Sequence, residues 1–222
     1  MKQGGWTQNG VTVTNGARIF KLGDKIKYKS AKTTYVGDWR VLGVSDEGFL
    51  LILSEKPVEE MNLRGTDGYE KSIHLVDERC KKYGEGDGAV SARSIRVQDV
   101  VSLEKILKGM SEQISREEIY AKVFNTGDNN KYWLASPYID KKTDFGSSGI
   151  YFMDKGEMKT FSFVNCYGYV RRHIPGNIKV VVEMIWKKSR TKLYGIKFYL
   201  LFIAAWAAAK RAIGTLNGEH DT

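Results

Sequence analysis

Residues 129–184 constrain the fold more than any other stretch of the chain. They hold Tyr132-Trp133-Leu134-Ala135-Ser136-Pro137, then Gly149-Ile150-Tyr151-Phe152-Met153, and then a turn at Asp154-Lys155-Gly156-Glu157. After the turn come Thr160-Phe161-Ser162-Phe163-Val164, Tyr167-Gly168-Tyr169-Val170, and the β-branched run from Ile178 to Met184. Short aromatic and β-branched runs punctuated by Gly and Pro read as strands. The pattern predicts a strand from Lys131 to Ala135 that Pro137 ends. It also predicts a hairpin joining 149–153 to 160–164, and final strands at 167–170 and 178–184. This is a signature of fold and not of an active site.

The residues upstream add two more hairpins. Asn9-Gly10 and Asn15-Gly16 are turn signals on either side of Val11-Thr12-Val13. In the segment around Ile26 and Tyr28, apolar positions alternate with Lys25, Lys27 and Lys29, as in a half-buried strand with a solvated face. Trp39 to Val44 and Phe49 to Leu53 form the strongest hairpin, with Gly48 in the turn. Phe49-Leu50-Leu51-Ile52-Leu53 has no polar alternation, which predicts burial on both faces.

Residues 55–72 carry loop signals. Ser72 then opens a helix whose apolar stripe is Ile73, Val76, Cys80 and Tyr83, closed by Gly84. Residues 89–124 are expected to be short helices. Ser115 to Glu118 has the form of a capping box opening the last of them.

The 222 residues suit one domain with an appendage. The net charge of +9 is unevenly spread. Residues 1–170 hold 25 Lys and Arg against 23 Asp and Glu, whereas residues 171–222 hold 10 against 3. The body is near neutral, so no specific nucleic-acid partner is expected of it. Two cysteines, Cys80 and Cys166, make neither a disulfide framework nor a metal site, and whether they pair is left open. No apolar leader follows Met1.

The order of motifs is similar to that of a known family. Trp39-Arg40-Val41-Leu42-Gly43-Val44, Gly48-Phe49-Leu50-Leu51-Ile52-Leu53-Ser54 and Leu63-Arg64-Gly65-Thr66-Asp67-Gly68-Tyr69 come first. A short helix follows, then Tyr83-Gly84-Glu85-Gly86-Asp87-Gly88, Tyr132-Trp133-Leu134-Ala135-Ser136-Pro137 and Tyr167-Gly168-Tyr169-Val170-Arg171. Over residues 3–184 this resembles an uncharacterised module of bacterial and prophage proteins related to the C-type-lectin-like and formylglycine-generating-enzyme-like folds. The chain departs from it at Val170-Arg171-Arg172-His173-Ile174-Pro175, where the family ends on a Gly-Val-Arg-Pro-Val-type strand. The pilin-like N-terminal segment common in that family is also absent from the sequence. The resemblance implies an α+β, C-type-lectin-like domain at 1–184, with short antiparallel strands, two or three helices and loops that present a variable surface. It brings no catalytic residues with it.

The chemistry-bearing residues are sparse. There is no phosphate loop, zinc motif or nucleophile elbow. His74, His173 and His220 are scattered, and His74 is expected at the surface. No metal or cofactor is expected, and no enzymatic activity. The candidate ligand-binding residues are Tyr138, Asp140, Asp144, Asn165, Tyr167, Arg171 and Arg172, on the loops and turns of the second half. The ligand is an unknown protein or glycan, and self-association is left open.

Residues 185–222 form a basic tail around FYLLFIAAWAAA at 198–209. This stretch is expected to be an apolar helix that contacts a membrane or a partner through Phe198, Leu201, Phe202 and Trp206. The expectation is therefore a non-catalytic binding or structural module on a cell surface or virion. The alternatives are a membrane-tethered assembly protein acting through its tail and a divergent formylglycine-generating-type enzyme.

Overall fold

A computed structural model describes residues 4–111, 113–124, 131–140, 147–163, 171 and 173–185. They belong to one unit, Met1–Trp186. The expected strand at 167–170 and the whole tail, Phe198, Leu201, Phe202 and Trp206 included, lie outside the described residues. The described part is α+β, with three α-helices and largely antiparallel sheets.

The N-terminal strands β1 (Thr7–Asn9), β2 (Thr12–Thr14) and β3 (Ile19–Lys21) form a small meander. Its second turn is held by the Asn15 carboxamide, which accepts from the Ala17 and Arg18 N–H groups at 3.1 and 2.9 Å. Trp6 closes it against the core, stacked on Phe20 with centroids 5.8 Å apart.

The central sheet is built on the predicted hairpin, β5 (Trp39–Val44) and β6 (Leu50–Ser54). β4 (Lys25–Ile26) flanks β5, while β13 (Val180–Met184) and then β8 (Ala89–Ser94) continue beyond β6. Val41, Ile52, Leu53 and Val180 to Val182 are wholly buried, so both faces of the middle strands are covered. The lysine face of β4 is more than solvated surface: Lys25 and Lys27 both pair with Asp38.

Strand β8 corrects the expectation of a helix over its residues. The Val180-Val181-Val182 run leaves an open edge on β13, and residues 89–94 pair with it in antiparallel register, Val182 opposite Ala92. Pairing across ninety residues outweighs local propensity.

A second correction concerns residues 55–72. Glu59–Leu63 is a strand, β7, at the edge of a second sheet ordered β11-β10-β9-β12-β7. Its polar composition disguised it: as an edge strand it buries only Leu63 fully. Helix α1 (Gly68–Lys81) starts before Ser72, and a 3-10 turn (Lys82–Gly84) follows it. Its stripe is as predicted, with Val76 and Cys80 fully buried and Tyr83 nearly so.

Helix α2 (Val97–Lys108) is capped by Asp99. The Asp99 carboxylate accepts from the Arg96 N–H at 2.8 Å and takes a two-pronged bond from the Arg93 guanidinium at 2.7 and 2.8 Å. Helix α3 (Gln113–Phe124) begins two residues before Ser115, so Ser115 is not its N-cap as the sequence pattern suggested.

The second sheet contains β9 (Tyr132–Asp140), β10 (Ser147–Asp154), β11 (Glu157–Ser162) and β12 (Ile174–Ile178). The β10–β11 turn falls on Lys155 and Gly156, both at positive φ (52° and 83°), as a two-residue hairpin turn requires.

Pro137 does not end β9. The strand passes through it because the register jumps there: Pro137 faces Ile150 while Leu134 faces Tyr151. The two residues left over turn to α2 instead. The Ala135 N–H donates to Ile95 O at 2.8 Å, and Ser136 Oγ accepts from the Val97 N–H at 2.9 Å. A bulge of this kind tolerates a residue without an N–H.

The predicted strand at 178–184 is also divided. β12 ends at Ile178 in the second sheet, and β13 begins at Val180 in the central sheet. Lys179 is the corner between them and is fully buried.

Candidate functional site

Strands β9 and β12 run parallel but pair at one position only, Ile178 with Trp133. Toward the start of β12 the sheet therefore opens. Pro175 has no N–H to offer, Gly176 has no side chain, and Asn177 bridges the gap by donating from Nδ2 to Lys131 O at 2.9 Å. A hollow of about 250 Å³ lies in this split, lined by Lys131, Tyr132, Trp133, Phe152, Phe161, Pro175 and Gly176.

The hairpin register builds its aromatic wall. Trp133 pairs with Phe152, and Phe152 pairs with Lys159, two residues from Phe161, so the three rings share one face. Their centroids are 5.8 to 6.3 Å apart and every pair of planes is steeply inclined, between 71° and 80°. Edge-to-face trios of this kind are favourable in their own right. Gly176 is pressed against the indole: a Cβ there would come within 2.1 Å of Trp133 Nε1.

Trp133 is nearly buried, and its N–H has no acceptor among the described residues. Trp6 and Trp39 share that shortage; all three indoles belong to the core, and the Trp133 ring also lines the hollow. A second, more polar hollow of about 540 Å³ adjoins it, sharing Lys131, Pro175 and Gly176 and adding Glu60, Met61, Asn62 and Asn177.

The cationic rim is simple. The Arg171 guanidinium lies 4.9 Å from the Phe161 ring centre. Lys131 and Lys159 both reach Asp154, at 3.6 and 3.2 Å, and Lys159 also reaches Glu157. Shared in this way, the Asp154 carboxyl is held below its ordinary range against the effect of its own burial.

Of the ligand-binding residues expected from the sequence, Arg171 lies over the Phe161 ring, beside the hollow but not among the residues that line it. Tyr138 and Asp140 lie on the far half of β9, opposite Gly149 and Ser147, with side chains outside the described set. Asp144, Asn165, Tyr167 and Arg172 lie outside the described residues altogether. Trp133, Phe152 and Phe161 were missed as a group, since Trp133 alone reads as core. The turn at Lys155-Gly156 carried the signal, because it fixes the register that puts these rings on one face.

Other reactive groups are committed to structure. Cys80 is a free, fully buried thiol, and burial with Asp77 nearby pushes its pKa far up, so it stays protonated. His74 is exposed, with only Glu78 at 3.8 Å. Among the described residues, no three His, Cys, Asp or Glu gather as a metal-ligand set. No described helix is long and apolar enough to cross a membrane.

Lys179 is the other buried polar feature. Its Nζ donates to Phe124 O at 3.3 Å, at the C-terminal end of α3, and lies 4.9 Å from the Tyr132 ring centre. Tyr132 donates to the same carbonyl at 3.3 Å. Burial lowers the Lys179 pKa to about 7.

No family model matches this chain, and neither a curated protein nor a solved structure matches it.

Proposed function

We propose that this chain is a non-catalytic ligand-binding module of the C-type-lectin-like kind, displayed on a bacterial surface or virion. It takes its ligand in the hollow between β9 and β12. One observation carries the site: three convergent aromatic rings, Trp133, Phe152 and Phe161, line an opening in the sheet. Large rigid rings give contact area at low entropic cost.

The test is a screen of immobilised glycans, cell-wall polymers and cell-surface proteins against the full chain and its Phe152→Ser variant. Specific binding that the variant loses supports the reading. Binding that the variant keeps moves the site elsewhere, and silence across the screen sinks it.

A second reading is a membrane-tethered assembly protein, favoured by the uncharged run at 198–209 between Lys197 and Lys210. Vesicle co-sedimentation of the full chain against a form ending at Met184 separates the two readings. Equal behaviour of the two forms refutes the tether.

The thiol-based enzymatic alternative draws no support from Cys80. A protonated, fully buried sulfur is not a nucleophile.

A further inference from the structure

We infer that Asn9 is a site of spontaneous covalent modification. It deamidates through a cyclic imide to aspartate and isoaspartate, with water as the co-reactant, while the fold guards Asn15 from the same reaction.

Both residues precede a glycine, in Asn9-Gly10 and Asn15-Gly16. In such a pair the glycine backbone nitrogen, once it has lost its proton, attacks the side-chain carbonyl carbon of the asparagine. The carboxamide nitrogen leaves as ammonia and the imide closes. Water then opens the ring at either carbonyl, giving aspartate or isoaspartate. One water is consumed and one ammonia released, and nothing is oxidised or reduced. The rate depends on two freedoms. The carboxamide has to swing onto the glycine nitrogen, and that nitrogen has to be free to give up its proton.

The two sites have the same glycine neighbour and the same room. Gly10 and Gly16 both sit at positive φ (55° and 82°), and nothing lies within 4 Å of where a Cβ would stand on either. Hydrogen bonding sets them apart. At Asn15 the side-chain Oδ1 accepts from the Ala17 and Arg18 N–H groups at 3.1 and 2.9 Å. The Gly16 N–H is itself donated, to Thr14 Oγ1 at 3.1 Å. The carbon to be attacked and the nitrogen that would attack it are both committed, and these bonds must break before the imide can close.

Asn9 is exposed at the end of β1, where it pairs with Thr12 across the turn at Gly10 and Val11. Among the described residues, neither its carboxamide nor the Gly10 N–H has a hydrogen-bond partner. Gln8 does hold this turn, donating from Nε2 to Gly10 O at 2.9 Å. That bond fixes the peptide after Gly10 and leaves the nitrogen before it untouched. The product has a consequence for the meander. A carboxylate appears at its tip, and isoaspartate lengthens the turn by one backbone atom. Gln8, which also accepts from the Val44 N–H at 3.0 Å, then loses the geometry that lets it bridge β1 and β5.

The test is to age the full chain, folded, at mildly alkaline pH and to follow it by peptide mass spectrometry. Both sites fall in one tryptic peptide, residues 3–18, so fragment ions assign them within the same sample. Asn9 should convert at least about tenfold faster than Asn15, the factor that hydrogen bonds of ordinary net strength imply. Its rate should rise with pH, because the attacking nitrogen must be deprotonated. In urea, where the bonds around Asn15 are gone, the two rates should converge.

Equal rates in the folded chain overturn the inference. So does a folded chain in which neither site converts while both convert in urea, since the hairpin would then protect Asn9 as well. A difference that persists unchanged in urea also overturns it, because the flanking sequence and not the fold would be its source.

Discussion

Two buried donors lie close together on neighbouring strands, Trp133 opposite Ile178 and Lys179 the residue after it, and they are treated in opposite ways. Lys179, at the corner between β12 and β13, is wholly enclosed and has a carbonyl and a ring face to meet it. Trp133, beside β12, is almost as deeply buried but leaves its N–H unpaired next to an opening. A satisfied buried polar group specifies how elements dock. The difference separates the structural half of this region from the half proposed above as the binding hollow.

The sharpest way to test the structural half is pH. The folded-state pKa of Lys179 lies near 7, below its unfolded value near 10.5. The unfolded chain therefore binds the extra proton first as pH falls, and stability drops from about pH 10.5 to 7 and then levels off. Between pH 9.5 and 7 this group alone should remove about 3 kcal/mol of unfolding free energy. Urea titrations of the parent and Lys179→Met across that range should show this decline as the growing difference between the two proteins. Parallel lines would mean that Lys179 keeps its charge in the folded state.

Next in size is Gly176→Ala, whose Cβ collides with the indole. A loss of about 2–3 kcal/mol is expected from this overpacking, together with loss of ligand binding. A variant of parental stability would show that the sheet has more room at the split than its geometry allows.

Asp99→Ala should cost about 2 kcal/mol by removing the α2 cap and leaving Arg93 without its two-pronged partner. It should leave binding unchanged, because α2 packs on α3, β5 and the bulge of β9 and no residue of it lines the hollow. Trp133→Phe reverses that pattern. It removes the unpaired donor and keeps a ring, so stability should move by about 1 kcal/mol or less while binding falls. Should the two effects move together, the contrast between a structural and a recognising donor fails. His74→Ala, on the exposed face of α1, should change stability by less than about 0.5 kcal/mol, which sets the baseline for the rest.

Which parts of this were legible in the sequence follows from what each element depends on. The β5–β6 and β10–β11 hairpins were readable because their turns and patterns are local: Gly48 in one, Lys155-Gly156 in the other. The α1 stripe was readable for the same reason. Strands β7 and β8 were not, because each is defined by a partner more than eighty residues away, and their own residues are polar or small. The division at Lys179 was hidden inside a run that looks like one strand. Nothing local marks a change of sheet except a lysine where an apolar residue was expected. At the candidate site, Arg171 was singled out from its place in a departing motif, and the structure sets it over Phe161, next to the hollow. The aromatic trio was not, since its meaning depends on the gap that Pro175 and Gly176 open in the sheet. The C-type-lectin-like assignment remains part of the proposal, and the mixed α+β class with three helices is what the described residues form.

Strand β13 is the last of the described strands in chain order and sits in the interior of the central sheet, between β6 and β8. Its partners, Leu50 to Leu53 and Ala89 to Ser94, precede it by roughly ninety to one hundred and thirty residues. During synthesis the first hairpin must therefore wait, its edge unpaired, until Met184 has cleared the ribosome. Sheets completed by such distant contacts form slowly and expose sticky edges meanwhile. This module should therefore depend on chaperones during translation far more than a domain whose sheet closes in the order in which it is made.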